Sequence, residues 1–225
     1  MNLPDGLLAS EWTLAAWLLF VPLFLLAIRR APWRRLADSS QLNVWLGTVV
    51  MLVLLWSLQA GVKPGLSMHL LGATLFTLAF GPCLAFIGLS LVLAGVSLNG
   101  AAGWNAYAAN ALLMGGVSVA VTQLLLRFNE RFLPQQCFVY IFANGFFGAA
   151  LSIAATGLCA SMLLVIAGVY PIDYVLAEYL PFVLLLAFSE AWLSGMMVTL
   201  FVIYRPEWVS TFEDSRYLRD KVAKP

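Results

Sequence analysis

His69 is the single histidine of the chain, set in the apolar stretch Ser67-Met68-His69-Leu70-Leu71-Gly72. An imidazole surrounded by hydrocarbon is either held by a hydrogen bond or recruited for chemistry, since burying it unpaired costs on the order of several kcal/mol. Imidazole is also the commonest nitrogen ligand of first-row transition metals. A second nitrogen lies at the amino terminus. A free α-amine titrates near pH ~8, so a metal ion can displace its proton at neutral pH. Residues 1–11, Met-Asn-Leu-Pro-Asp-Gly-Leu-Leu-Ala-Ser-Glu, are too polar at the front to span a bilayer and too apolar at Leu3, Leu7 and Leu8 to rest in water. They are expected to tuck into the outer mouth of a helical bundle; a frayed terminus is the plain alternative.

Glu190, in Phe188-Ser189-Glu190-Ala191-Trp192, is the one acidic residue placed deep in an apolar run, roughly 21 Å of helix before Arg205. It serves either as a metal or proton relay or as a neutral, hydrogen-bonded packing residue. Asn110 and Met114 are four apart on one helical face, and with Asn144 they are expected to face the bundle interior. Interhelical hydrogen bonding is their plain reading. An acid–base pair of His69 and Glu190 would need the two side chains within about 3 Å, whereas their positions suggest one near the outer surface and one at mid-bilayer.

Absent motifs narrow the chemistry. The chain has no GxxxxGK[ST] loop to bind a nucleotide, no HExxH zinc motif and no GxSxG elbow. Cys83, Cys137 and Cys159 match no metal-ligand spacing and read as small hydrophobes. A net charge of +1 offers nothing to nucleic acid.

The elements that position these residues are membrane helices. Hydrophobic residues make up 62% of the 225 and charged residues 10%, too few polar groups to surface a soluble domain of this size. Apolar runs fall at about 13–30, 43–62, 67–80, 82–98, 105–127, 136–168 and 177–204. An all-α bundle of about seven transmembrane helices follows. It forms one domain over 1–208, with a polar tail at 209–225. The third run ends at Gly81-Pro82, either a tight turn between two helices or a kink in one. The sixth is long enough to bend near Asn144-Gly145. The first run follows an acidic lead, lacks a small-residue cleavage site and is expected to remain in place.

With the amino terminus outside and the carboxyl terminus in the cytoplasm, Arg29, Arg30, Arg34, Arg35, Arg127, Arg131, Arg205, Arg216, Arg219, Lys221 and Lys224 all fall inside. Only Lys63 of the twelve basic residues then lies outside, as the positive-inside bias demands. Trp12 and Trp104 are expected as anchors at the outer interface, and Trp33, Trp45 and Trp208 at the inner one. The Arg29–Arg35 loop and the tail after Arg205 are cytoplasmic surfaces for partners, or simply the charges that set topology.

Taken in order, several pieces resemble one family, the CbiM/NikM-type substrate-binding membrane subunit of energy-coupling-factor transporters for cobalt and nickel. They are Met1-Asn2-Leu3-Pro4-Asp5-Gly6-Leu7-Leu8, His69-Leu70-Leu71-Gly72 running into Gly81-Pro82, Asn110 with Met114-Gly115, Glu190, and Arg205-Pro206-Glu207. The resemblance implies a seven-helix bundle whose outer amino terminus enters the cavity and binds the ion. It implies a nitrogen-rich site made by the terminal amine of Met1, the backbone nitrogen of Asn2 and the imidazole of His69. It also implies that the divalent metal is cargo, with no tightly bound cofactor and no enzymatic reaction. A coupling transmembrane subunit and ATP-binding subunits in the bacterial inner membrane would supply the energy.

One residue departs from the family pattern. Position 2 is Asn where the family usually has His, so a fourth nitrogen is replaced by a harder, weaker amide oxygen. Weaker binding, recruitment of Asp5, or preference for another ion are the alternatives this leaves. Asn, like His, is too large for ordinary methionine removal, so Met1 and its amine are expected to remain. A diverged scaffold or assembly protein that transports nothing is the rival class.

Overall fold

The computed structural model describes residues 2–61 and 63–218. Met1, a candidate ligand, and the tail residues 219–225, with Arg219, Lys221 and Lys224, lie outside the described residues. The main elements are α1 (Ser10–Arg30), α2 (Ser39–Ser57), a two-stranded hairpin of β1 (Ala60–Gly61) and β2 (Ser67–Met68), α3 (Ala73–Phe80) and α4 (Pro82–Leu98). Then follow α5 (Tyr107–Phe132), α6 (Cys137–Ile166), α7 (Ile172–Glu178) and α8 (Leu180–Tyr204). Five of these, α1, α2, α5, α6 and α8, are long and apolar enough to cross a membrane. Large apolar side chains such as Leu18 and Leu19 on α1, Met51 on α2 and Leu184 and Phe188 on α8 stand exposed. In water such faces would aggregate; in lipid they are solvated. The chain is a multi-pass α-helical membrane protein.

At the centre lies α3, packed against α4, α5, α6 and α8. It differs from the run expected at 67–80. Only eight residues are helical, about 12 Å of rise, because Ser67–Met68 pairs with β1 and the chain stays non-helical through Gly72. Gly72 adopts φ +61°, and a Cβ there would overlap Leu52. At the other end Gly81, at φ +80°, turns the chain into α4 with Pro82 in the first helical turn. The tight turn, not the kink, is what Gly81-Pro82 makes.

A helix ending inside a bundle leaves carbonyls without partners. The backbone N–H groups of Ser210 and Thr211 donate to the carbonyls of Ala79 and Leu78 at 2.9 and 3.3 Å, and Thr211 Oγ1 donates to Leu78 as well. The segment after α8 therefore closes the lower end of α3.

Two further devices shape the bundle. Ala111–Val117 in α5 and Ile141–Phe147 in α6 are π-helical turns, the second of them at Asn144-Gly145. Asn144 and Asn110 are both buried, and Asn129 Nδ2 donates to Asn144 Oδ1 at 2.9 Å. Gly145 lies against Gly195, bringing α6 and α8 into close approach. The cysteines sit half-buried on α4 and α6. Trp45 corrects its expected role as an interface anchor. It is 5% exposed, packs on Phe76 and donates from Nε1 to the Leu84 carbonyl at 3.2 Å, so it belongs to the core. Trp33 and Trp104 are exposed.

Close helix approach predicts an asymmetric response of two glycines to alanine. A Cβ at Gly195 would overlap the Phe146 ring, whereas one at Gly47 meets nothing within 4 Å. Gly195→Ala is expected to destabilise by about 1–3 kcal/mol, and Gly47→Ala to be neutral or slightly stabilising, as read from thermal unfolding in detergent.

Candidate metal centre

The amino-terminal segment enters between the hairpin and the start of α5, and a buried amide fixes it there. Asn110 Oδ1 accepts from the Leu3 N–H at 2.8 Å, and Asn110 Nδ2 donates to the Leu3 carbonyl at 3.0 Å. Both residues are wholly buried. This two-way pairing satisfies one residue of backbone as a strand partner would. The Gly103 N–H also donates to the Leu3 carbonyl, and a Cβ at Gly103 would overlap Asp5. Asp5 accepts from the backbone N–H groups of Trp104, Asn105 and Ala106 at 3.2, 2.7 and 3.3 Å. Its oxygens thus hold the turn before α5.

This anchoring brings Asn2 onto His69. The Asn2 backbone N–H donates to Ser67 Oγ at 3.0 Å, and its Nδ2 donates to Gln59 Oε1 at 3.1 Å. That leaves Asn2 Oδ1 facing His69 Nε2 at 3.2 Å. The other ring nitrogen, Nδ1, faces the Leu70 carbonyl at 3.2 Å. A neutral imidazole carries one proton. If Nδ1–H donates to Leu70, Nε2 presents a lone pair to an oxygen that also presents one. Two converging lone pairs repel each other and attract a cation. Ligands bound about 2.1 Å from one ion and about a right angle apart stand ~3 Å from each other, close to the separation seen here.

His69 is itself held by its neighbours. Trp56 is buried with its ring centroid 5.1 Å from the imidazole, and its Nε1 donates to the Leu71 carbonyl at 3.0 Å. Glu190 fixes the same segment from the opposite side. Its Oε2 accepts from the Leu71 N–H at 2.8 Å and its Oε1 from the Gly72 N–H at 2.7 Å. Ser194 Oγ donates to Oε1 at 3.2 Å. Glu190 is 1% exposed. The carboxylate sits at the amino end of α3, where unpaired N–H groups and the helix dipole favour negative charge.

Asn2, His69 and Asn110 thus gather at the inserted terminus, with Asp5 bracing it and Glu190 bracing the backbone two residues beyond His69. Expected far apart, His69 and Glu190 are linked through this short backbone, yet neither is the other's hydrogen-bond partner. An acid–base pair is therefore not formed. Sequence reasoning missed Trp56, Gln59, Ser67 and Ser194. Ser67, two residues before His69 and followed by Met68 in an extended strand, carried a local signal. Trp56 and Gln59 carried none, because only the hairpin return brings the end of α2 beside His69. Among the described residues no group of three His, Cys, Asp or Glu side chains could hold a metal; any site here is built from amide and imidazole groups.

Comparisons agree with this architecture. A crystal structure of a truncated transition metal transporter superposes with a TM-score of 0.78, covering 91% of this chain and 99% of that one at 20% identity. A second transition metal transporter structure gives 0.71 over 90% of this chain and 93% of the other, at 19% identity. Likeness at that identity speaks for the fold. A cobalt transport protein CbiM of Anoxybacillus flavithermus is 32% identical over 134 residues, 59% of this chain. The chain matches over about half of that relative's length, 53%. The family model of the CbiM cobalt uptake substrate-specific transmembrane region matches residues 2–208. The chain is a member of the CbiM family.

Proposed function

We propose that this protein is the substrate-binding membrane subunit of a metal-uptake transporter, taking a divalent transition-metal ion, cobalt or nickel, from the outer face of the bacterial inner membrane. The observation that carries the reading is the pairing of Asn2 Oδ1 with His69 Nε2 at 3.2 Å in a buried, braced pocket. Met1 supplies the terminal amine as a further nitrogen. Ligation by the Asn2 backbone nitrogen requires that its amide proton, now donated to Ser67 Oγ, be released to solvent as the metal binds. The ion is cargo, and no chemistry is performed on it. Lacking a nucleotide-binding loop, the protein draws its energy from a coupling transmembrane subunit and ATP-binding subunits.

The topology is seven passes in one domain with the amino terminus outside. Segment 67–72 is non-helical and α3 helical. Six extended residues reach up to about 20 Å and α3 adds about 12 Å, together about one hydrocarbon thickness. Broken passes of this kind are tolerated where the irregular backbone is buried in protein and lines a site. The basic loops support the orientation. Arg35 donates to the carbonyls of Glu207 and Trp208, and Arg216 pairs with Glu130, so the segments after α1, α5 and α8 meet at one end. Lys63, 4.1 Å from the Tyr174 ring centroid, is at the other with the inserted terminus.

Calorimetry on the full chain with an unmodified amino terminus tests the reading with Co²⁺, Ni²⁺ and Zn²⁺. One ion is expected to bind per chain and His69→Ala to abolish it, while Asn2→His binds about tenfold tighter or more, at least about 1.4 kcal/mol. A folded wild type with no saturable binding would replace the transport reading with that of a non-transporting scaffold. Glu190→Gln puts an amide N–H₂ against a backbone N–H. It is expected to lower stability by about 1–3 kcal/mol and weaken metal binding by about 10–100-fold, measured by unfolding and calorimetry on the same preparation.

A further inference from the structure

A groove opens on the lipid-facing side of the bundle, between α1, α4 and α5, with a volume of about 640 Å³. Its walls are almost wholly apolar, including Leu23 on α1, Phe86 on α4, and Leu112 and Leu124 on α5. Its charged lining groups are Arg30 and Arg127. Arg30 is the last residue of α1, Arg127 lies in the last turns of α5, and Pro82 and Cys83 at the start of α4 line the groove beside them. Both cations therefore sit at one end. Among the described residues neither arginine has an ion pair or a hydrogen bond to a protein group. The nearby Gln123 adds one neutral polar group to the lining.

Length identifies the occupant. From Arg30 to Leu19, the farthest lining residue on α1, is about 16 Å of helix, and from Arg127 to Leu112 on α5 about 22 Å. One leaflet of a ~30 Å hydrocarbon core is about 15 Å deep. The groove thus begins at two unpaired cations at headgroup level and runs on as an apolar trough about one acyl chain deep. Basic pockets between helices recognise anionic headgroups, each arginine contributing about fivefold near the membrane surface.

We propose that this groove is a binding site for one anionic phospholipid, its phosphate held between Arg30 and Arg127 and an acyl chain lying along α1 and α5. With the orientation proposed above, the lipid belongs to the cytoplasmic leaflet. The site is separate from metal capture, and its test does not depend on it.

Native mass spectrometry of the full chain in detergent, titrated with phosphatidylglycerol or phosphatidylcholine of equal chain length, reads the site directly. Phosphatidylglycerol is expected to bind about 25-fold tighter, two arginines at about fivefold each. The Arg30→Gln/Arg127→Gln double variant is expected to lose that preference. Arg29→Gln/Arg131→Gln, which removes the same charge outside the groove, is expected to keep it. Ala120→Phe, at an exposed lining position, fills the trough without touching the arginines and is expected to weaken both lipids. It keeps the proposal testable should the arginine variant not fold. Equal binding of the two lipids, or equal loss in both double variants, overturns the proposal. So does competition by inorganic phosphate at the lipid's own concentration, which would make this a bare anion site, or a dimer mass in place of lipid adducts.

Discussion

The carboxylate of Glu190 on the backbone N–H groups of Leu71 and Gly72 is the contact on which the rest of the site depends. A helix of eight residues starting inside a membrane bundle exposes N–H groups that no lipid can satisfy. One carboxylate accepts from the N-cap Gly72 N–H and from the Leu71 N–H just before it, with its charge at the positive end of α3. In return α3 and its partners surround the carboxylate, and charge-assisted bonds from backbone and Ser194 replace a counter-cation. Shortening α3 leaves Leu70 and His69 in irregular backbone, where the imidazole meets Asn2 and the Trp56 ring.

The inserted terminus is the second half of that arrangement. Leu3 cannot sit in water, and a buried strand-like residue needs donors and acceptors on its backbone. Asn110 supplies one of each from α5, just before its π-helical turn. Asp5 and Gly103 close the approach from the other side. What remains of Asn2 is a carbonyl oxygen opposite the imidazole, 3.2 Å from Nε2. The polar groups of Asn2 and His69 are thus enclosed by buried neighbours, with the Trp56 ring beside the imidazole and Leu3 wholly buried.

Much of this was legible in the sequence. Apolar run lengths gave the long helices, and a lone histidine, a buried glutamate and an amide on α5 stood out because hydrocarbon makes each of them expensive. Asn144-Gly145 marked the position of the π-helical turn in α6. Hydropathy misread residues 67–72, because Met68, Leu70 and Leu71 are as apolar in an extended segment as in a helix. It also placed Trp45 at an interface by chain position alone, although its indole N–H had a carbonyl to reach inside the bundle. Trp56 and Gln59 were invisible for a different reason. Their roles come from the hairpin that folds the end of α2 back beside His69, a long-range return that no local pattern encodes.

The proposed function places a divalent cation between the Asn2 amide oxygen and the His69 imidazole. X-ray absorption spectroscopy on the cobalt- or nickel-loaded full chain tests it most directly. A first shell of nitrogen and oxygen only is expected, with multiple scattering from a single imidazole that becomes two in Asn2→His. A loaded sample showing no imidazole scattering, or sulfur in the first shell, would contradict it.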